Sequence, residues 1–122
     1  MTLKTVAVVE DNPDNRLLLR AFLGDLYRIV EYENGPSALA GLRAEAADVV
    51  LMDVSLPGMD GLEVLARLRA DDALKELPVI ALTAHAMQGD RERFLAAGFD
   101  DYVAKPIVDE AVLKAALERQ LP

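Results

Sequence analysis

The chain has 122 residues, of which 52% are hydrophobic, so it can bury a sizeable core in one domain and has no room for a second module. It contains no cysteine, which excludes disulfides, thiolate metal sites and a cysteine nucleophile. A net charge of −8, with 13 dispersed basic residues, argues against nucleic-acid binding, and no apolar run approaches membrane-spanning length, so we expect a cytoplasmic protein that works without a membrane.

Apolar strand-like runs alternate with segments of helical periodicity along the chain. Uninterrupted aliphatic runs predict strands that are buried on both faces, as in a parallel sheet. Five such units with short connections predict a single α/β domain over residues 1–122, with a doubly wound parallel sheet and helices on both faces. The predicted strands cover about 5–9, 28–32, 48–53, 79–83 and 102–104, and the predicted helices about 13–26, 36–45, 61–70, 90–97 and 109–120.

Local signals mark several helix ends. Asn12-Pro13 and Gly35-Pro36 place proline at the first helical position, where its missing N–H costs nothing, and Asn12 is the predicted cap of the first helix. Gly98 is a predicted left-handed stop. The run of leucines at 17–19 spans more surface than one apolar stripe covers, so at least one of the three should be exposed. Pro122 directly follows the last predicted helix, so we expect any output domain to be another chain or to have been cut away.

Acidic residues follow two of the predicted strands. Glu10 and Asp11 come directly after the first strand, and Asp53 closes the third. In open α/β sheets, ligands bind at the edge formed by the carboxyl ends of the strands. Three carboxylates at one crevice are hard to keep ionised together without a cation, and hard oxygen ligands favour magnesium or calcium. The sequence therefore predicts a divalent metal site.

Two further polar residues end the fourth and fifth strands, namely Thr83 and Lys105. Alone, Thr83 would be read as an ordinary strand-end threonine and Lys105 as a surface lysine. Together with the acids they match what phosphoryl transfer to an aspartate requires: a nucleophilic carboxylate, a metal that screens it, and a hydroxyl and a cation for the remaining phosphoryl oxygens.

With these residues the chain resembles the receiver domain of two-component response regulators over about residues 4–121. The strings Val9-Glu10-Asp11-Asn12 and 83–90 (TAHAMQGD) look most like single-domain regulators and the receivers of hybrid kinases. The resemblance implies a flavodoxin-like sheet with strand order 2-1-3-4-5. It also implies Asp53 as the phospho-acceptor, and Glu10, Asp11, Asp53 and the backbone carbonyl of Ser55 as the groups that hold Mg²⁺.

The resemblance assigns roles to the other strand-end residues as well. Thr83 and Lys105 would hold phosphoryl oxygens, and Tyr102 would turn inward when Thr83 moves toward the phosphate. Pro106 would fix the loop that carries Lys105. Ser55 and His85 occupy positions that tune loss of the phosphoryl group in the family, although a bystander role for His85, the sole histidine, is favoured.

The function that the resemblance implies is a signalling switch, not an enzyme with a separate substrate. It would take a phosphoryl group from the phosphohistidine of a histidine kinase or histidine phosphotransfer protein, catalyse its own phosphorylation and dephosphorylation, and change its binding to an output protein.

Two alternatives belong to other classes. A magnesium-dependent phosphatase of the haloacid dehalogenase type would need a second acid two residues after the nucleophile, where this chain has Ser55. A flavodoxin-like electron carrier would need a loop that cradles the FMN phosphate, and the acidic segment 10–14 would repel that phosphate.

Overall fold

Strands and helices alternate through the computed structural model, which describes residues 3–84, 90–105 and 110–121. The five strands of this part form one parallel sheet in the order β2-β1-β3-β4-β5, which confirms the predicted class and strand order. The elements are β1 (Thr5–Val9), α1 (Pro13–Leu23), β2 (Arg28–Tyr32), α2 (Gly35–Ala44), β3 (Val49–Asp53), α3 (Gly61–Ala70), β4 (Val79–Thr83), α4 (Asp90–Ala97), β5 (Asp101–Ala104) and α5 (Glu110–Gln120).

The sheet separates two apolar cores. Because side chains alternate along a strand, Val6 and Val8 pack on one face with α1 and α5, whereas Ala7 and Val9 pack on the other with α2, α3 and α4. Strands β1, β3 and β4 are buried at every position, which explains their continuous aliphatic sequences.

The strand order reverses next to β1. This strand pairs with β2 on one side and with β3 on the other, so α1 and α2 leave the sheet in opposite directions. In a doubly wound sheet such a reversal opens a crevice at the carboxyl ends of the two central strands. Glu10 and Asp11, which follow β1, and Asp53, the last residue of β3, lie there.

The start of α1 agrees with its sequence signals, but its end does not. Asn12 caps the helix, because its side-chain oxygen accepts hydrogen bonds from the N–H groups of Asp14 and Asn15. The helix ends at Leu23, not near Leu26 as the apolar pattern predicts. The N–H groups of residues 26 and 27 both donate to the Leu23 carbonyl, which forms a turn that leads the chain into β2.

Other features of the fold agree more closely with prediction. Gly98 has a φ of 116°, as expected of a left-handed stop, and the bounds of the remaining elements differ from prediction by one residue or less where they are described. Of the three consecutive leucines at 17–19 on α1, Leu17 is 67% exposed and Leu19 is buried. No helix in the described ranges is long and apolar enough to cross a membrane.

Candidate functional site

The three predicted acids meet at the carboxyl ends of β1 and β3. One carboxylate oxygen each from Glu10, Asp11 and Asp53 lies within 4.8 Å of the others. Glu10 and Asp53 are 1% and 4% exposed, whereas Asp11 is exposed. Oxygen donors at this spacing suit a small divalent cation, and the exposed Asp11 leaves the cluster open to solvent.

A lysine ammonium lies against the two buried acids. Lys105 is the residue directly after β5. Its Nζ atom donates a hydrogen bond to Glu10 Oε2 at 2.8 Å and lies 3.1 Å from Asp53 Oδ2. The ammonium thus contacts two of the three carboxylates, and Asp11 keeps a negative charge that a cation could neutralise.

The pKa values of Glu10 and Lys105 are both shifted in this site. Burial raises the pKa of the Glu10 carboxyl above its ordinary value and the charge of Asp53 adds to this effect, although hydrogen bonds from Lys105 and Asn15 oppose it. For Lys105, burial alone would lower the pKa of the ammonium, but the hydrogen bond to Glu10 and the charges of Glu10 and Asp53 outweigh it and raise the pKa. At Glu10 and Lys105, the folded state therefore holds protons more tightly than the unfolded chain.

Glu10 is also held by groups that the sequence did not single out. The Asn15 side-chain amide donates to Glu10 Oε1 at 2.8 Å, and the Arg16 guanidinium donates to the Glu10 backbone carbonyl at 2.8 Å. The Glu10 N–H donates to the carbonyl of Tyr32 at 3.0 Å. In the sequence, the only sign of these contacts was that Asn15 and Arg16 are polar and lie at the start of the helix that follows Glu10 and Asp11.

The loop after β3 fixes Asp53. The N–H of Ser55 donates to Asp53 Oδ1 at 2.9 Å, and the N–H of Gly61 donates to the Val54 carbonyl at 3.0 Å. A Cβ atom on Gly61 would lie 2.4 Å from the Asp53 carbonyl oxygen, so α3 can approach the strand end this closely only because residue 61 is glycine. Sequence reasoning missed this role for Gly61.

Thr83 and Tyr102 lie on neighbouring strands. Thr83 ends β4 with a buried side chain, and its carbonyl accepts the N–H of Lys105 at 2.8 Å. Tyr102 is half-buried, with its ring centroid 6.4 Å from that of Phe94 and the Arg91 guanidinium 5.8 Å above its ring. Because Tyr102 pairs with residue 81, two before Thr83, the two side chains lie on the same face of the sheet.

Two predicted residues, His85 and Pro106, lie outside the described residues. The others converge on one crevice or on the strand pair beside it. A buried carboxylate, two further acids, a hydroxyl and an ammonium meet at this edge, and such a group can bind a divalent cation beside a carboxylate nucleophile.

Comparison with known proteins identifies the family. The family model of the response regulator receiver domain matches residues 6–118, nearly the whole chain. The chain belongs to the response regulator receiver domain family. Receiver domains are the phosphoryl-accepting switches of two-component signalling, so the predicted function is confirmed, and neither the phosphatase nor the electron-carrier alternative is favoured.

Relatives of this receiver domain include both hybrid kinases and a separate regulator. The sensor protein GacS of Pseudomonas syringae pv. syringae is 41% identical over 117 residues, which are 93% of this chain and 13% of GacS. The polar-differentiation response regulator DivK of Brucella anthropi is 44% identical over 105 residues, which are 85% of each protein. The chain thus spans only about an eighth of the sensor protein but most of the small regulator.

A similar receiver domain has been solved with a bound metal ion. The receiver domain of the sensor histidine kinase PA1611 from Pseudomonas aeruginosa PAO1 is 39% identical, with a TM-score of 0.88 over 98% of both chains. In that protein a magnesium ion is coordinated in the active site cleft. The acidic cluster of the present receiver domain has oxygen donors suited to the same ion, as predicted.

Proposed function

We propose that this receiver domain accepts a phosphoryl group on Asp53 in a magnesium-dependent reaction and passes the signal through Thr83 and Tyr102. The observation that carries the proposal is the arrangement at the sheet edge: three carboxylates with oxygens within 4.8 Å, and one ammonium that bridges the two buried ones.

The metal would be held by Asp11, Asp53, Glu10 and the backbone carbonyl of Ser55. Their oxygens are the hard donors that Mg²⁺ prefers, and the exposed Asp11 gives the ion a path from solvent. When bound, Mg²⁺ screens the carboxylate charge and neutralises charge on the phosphoryl group.

The chemistry of the chain itself begins at Asp53. One of its carboxylate oxygens attacks the phosphorus of a phosphohistidine; the P–N bond breaks, and its electron pair returns to the imidazole, which takes up a proton. The Ser55 N–H on Asp53 Oδ1 fixes the carboxylate, whereas Oδ2 faces Lys105 and has no backbone donor among the described residues. We therefore assign the attack to Oδ2.

Lys105 and Thr83 would then hold phosphoryl oxygens. Lys105 already lies within contact distance of Asp53 Oδ2, so a phosphoryl group on that oxygen comes next to the ammonium. Thr83 ends the neighbouring strand and would supply a hydroxyl hydrogen bond. Hydrolysis of the acyl phosphate by water at the same site would make the switch self-resetting, with Ser55 and His85 as predicted modulators of its rate.

The signal would leave the site through the α4–β5–α5 side. Movement of Thr83 toward the phosphate would vacate space on the sheet face that it shares with Tyr102, whose ring now packs against Phe94 under Arg91. Tyr102 would then have two positions, the present one and one turned inward, and phosphorylation would bias the equilibrium between them. The change would alter the surface that an output protein contacts.

The phosphoryl donor would be a histidine kinase or a histidine phosphotransfer protein. Sensor kinases among the relatives support this class of partner, and Leu17, 67% exposed on α1, would offer an apolar contact for a helix that bears the histidine. A cytoplasmic location, a single domain over 1–122, and function without nucleic acid or membrane stay predictions.

The test is mass spectrometry after incubation with a small phosphodonor such as acetyl phosphate. We expect one added phosphate with magnesium, none with EDTA, and loss of the label on treatment with acid or base, as for an acyl phosphate. Asp53→Asn should abolish labelling. Asp72→Asn, the same change at a fully solvated acid after α3, should not. Full labelling of the Asp53→Asn protein would contradict the proposal.

A further inference from the structure

The carboxylate of Glu10 has a separate donor for each of its oxygens. Lys105 Nζ donates to Oε2 and Asn15 Nδ2 donates to Oε1, each at 2.8 Å, and the side chain is almost entirely buried. Lys105 also contacts Asp53 at 3.1 Å, so its ammonium is shared between two acids. With Lys105 alone, the Glu10 carboxylate could rotate about a single contact; the Asn15 amide removes that freedom.

The direction of the Asn15 amide is itself fixed by the start of α1. Asn12 caps the helix by accepting the N–H groups of Asp14 at 2.8 Å and Asn15 at 3.4 Å, and Pro13 occupies the first helical position. Asn15 is half-buried in a cavity that it shares with Glu10 and Lys105. The capped helix start thus presents a neutral donor to Oε1, whereas the ammonium donates to the other oxygen, Oε2.

We propose that Asn15 is a positioning residue of the metal site, which orients the Glu10 carboxylate so that the site favours Mg²⁺ over Ca²⁺. This inference rests on the proposed magnesium function. Groups that hydrogen-bond to metal ligands fix ligand orientation, and their loss commonly weakens binding by about 10–100-fold. Mg²⁺ demands nearly ideal octahedral geometry, whereas Ca²⁺ tolerates irregular coordination, so a loosened ligand penalises Mg²⁺ more.

The experiment measures Mg²⁺ and Ca²⁺ dissociation constants separately by NMR titration of the whole chain, whose spectrum also reports whether each variant is folded. Asn15→Leu is nearly isosteric, keeps helix propensity and adds a leucine to a cavity wall that already contains Leu18 and Leu82. Asn15→Ala serves as a second, smaller variant. Asp14→Ala changes the exposed neighbour in the same helical turn and is the matched control.

In the Asn15 variants we expect the Mg²⁺ constant to rise by roughly tenfold. The Ca²⁺ constant should change by less than about threefold, because Ca²⁺ accepts flexible coordination. The Asp14→Ala control should keep the wild-type ratio of the two constants.

Equal changes for both ions would overturn the inference, since loss of stability or of charge balance would act on both alike. An unchanged Mg²⁺ constant in the variants would also overturn it while leaving the proposed function intact. A wild-type protein that binds no Mg²⁺ would overturn both.

Discussion

Replacement of Asp11 by asparagine should raise the stability of the metal-free protein, and added magnesium should cancel that gain. Asp11 has no part in capping α1, a role that Asn12 performs, so the substitution removes a charge without removing a helix cap. It takes away one of three negative charges from the acidic cluster and one oxygen ligand of the proposed metal site.

The magnitude follows from the spacing. Two unit charges 4.8 Å apart repel by about 0.9 kcal/mol in a water-like dielectric, the setting that suits the exposed Asp11. Two such neighbours, partly offset by Lys105, give a metal-free gain of about 1 kcal/mol for the variant. With a dissociation constant near 1 mM, about 10 mM Mg²⁺ stabilises the wild type by roughly 1.4 kcal/mol, and a tenfold weaker site by only about 0.4 kcal/mol. The difference between the two proteins should therefore nearly vanish at that concentration.

Urea denaturation with EDTA and with about 10 mM Mg²⁺, with linear extrapolation of the free energy of unfolding, tests both the metal-free gain and its loss on adding magnesium. The Asp72→Asn variant controls for the loss of one negative charge anywhere on the protein. Asp72 is fully solvated and lies in the connection from α3 to β4, at the amino-terminal ends of the strands and away from the acidic cluster. A metal-free Asp11→Asn protein that is less stable than the wild type, with an undiminished response to magnesium, would refute the reasoning.

Three further outcomes follow from the same structure. Because burial raises the pKa of Glu10, the folded state binds more protons at this carboxyl than the unfolded chain. The stability that this proton contributes is fully present below pH 4.5, the ordinary pKa of the group, and is lost as pH rises through the folded-state pKa. Urea midpoints in EDTA should show this decline, and Glu10→Gln should flatten it. Gly61→Ala should lower the rate of labelling by acetyl phosphate roughly tenfold or more, because the new Cβ displaces the Asp53 backbone; an unchanged rate would contradict that. Asp101→Asn should cost about 1–3 kcal/mol in urea denaturation, because the buried carboxylate loses its charge-assisted bonds from Arg119, and an unaltered midpoint would count against this role.

The acids and the lysine could be predicted because of a simple geometric rule. Parallel strands end at the same edge of a sheet, so residues that directly follow aliphatic runs come together whatever lies between them. Glu10, Asp53 and Lys105 all meet this condition, and the structure brings them within hydrogen-bonding or ion-pairing distance. The sheet order followed from the family resemblance rather than from the strand patterns themselves.

The contacts of helices with the strand ends were not predictable in this way. Whether Asn15 reaches Glu10, or whether α3 requires a glycine at 61, depends on the height and rotation of each helix on the sheet. These are set by packing of many side chains, which no short pattern encodes. The end of α1 was predicted wrongly for a related reason. Leu26 continues the helical spacing of apolar residues, although the helix has ended at Leu23 and the backbone forms a turn there.

The contact between Lys105 and Glu10 joins residues that are 95 positions apart in the chain. Contacts of such long separation close large loops and are characteristic of slow-forming topologies. During synthesis, the acids that follow β1 and end β3 are all made before Lys105, so the ion pairs of Glu10 and Asp53 with this ammonium form only after the fifth strand has joined the sheet. The proposed phosphorylation would thus depend on completion of folding, because a chain stalled before β5 has the proposed nucleophile but lacks Lys105.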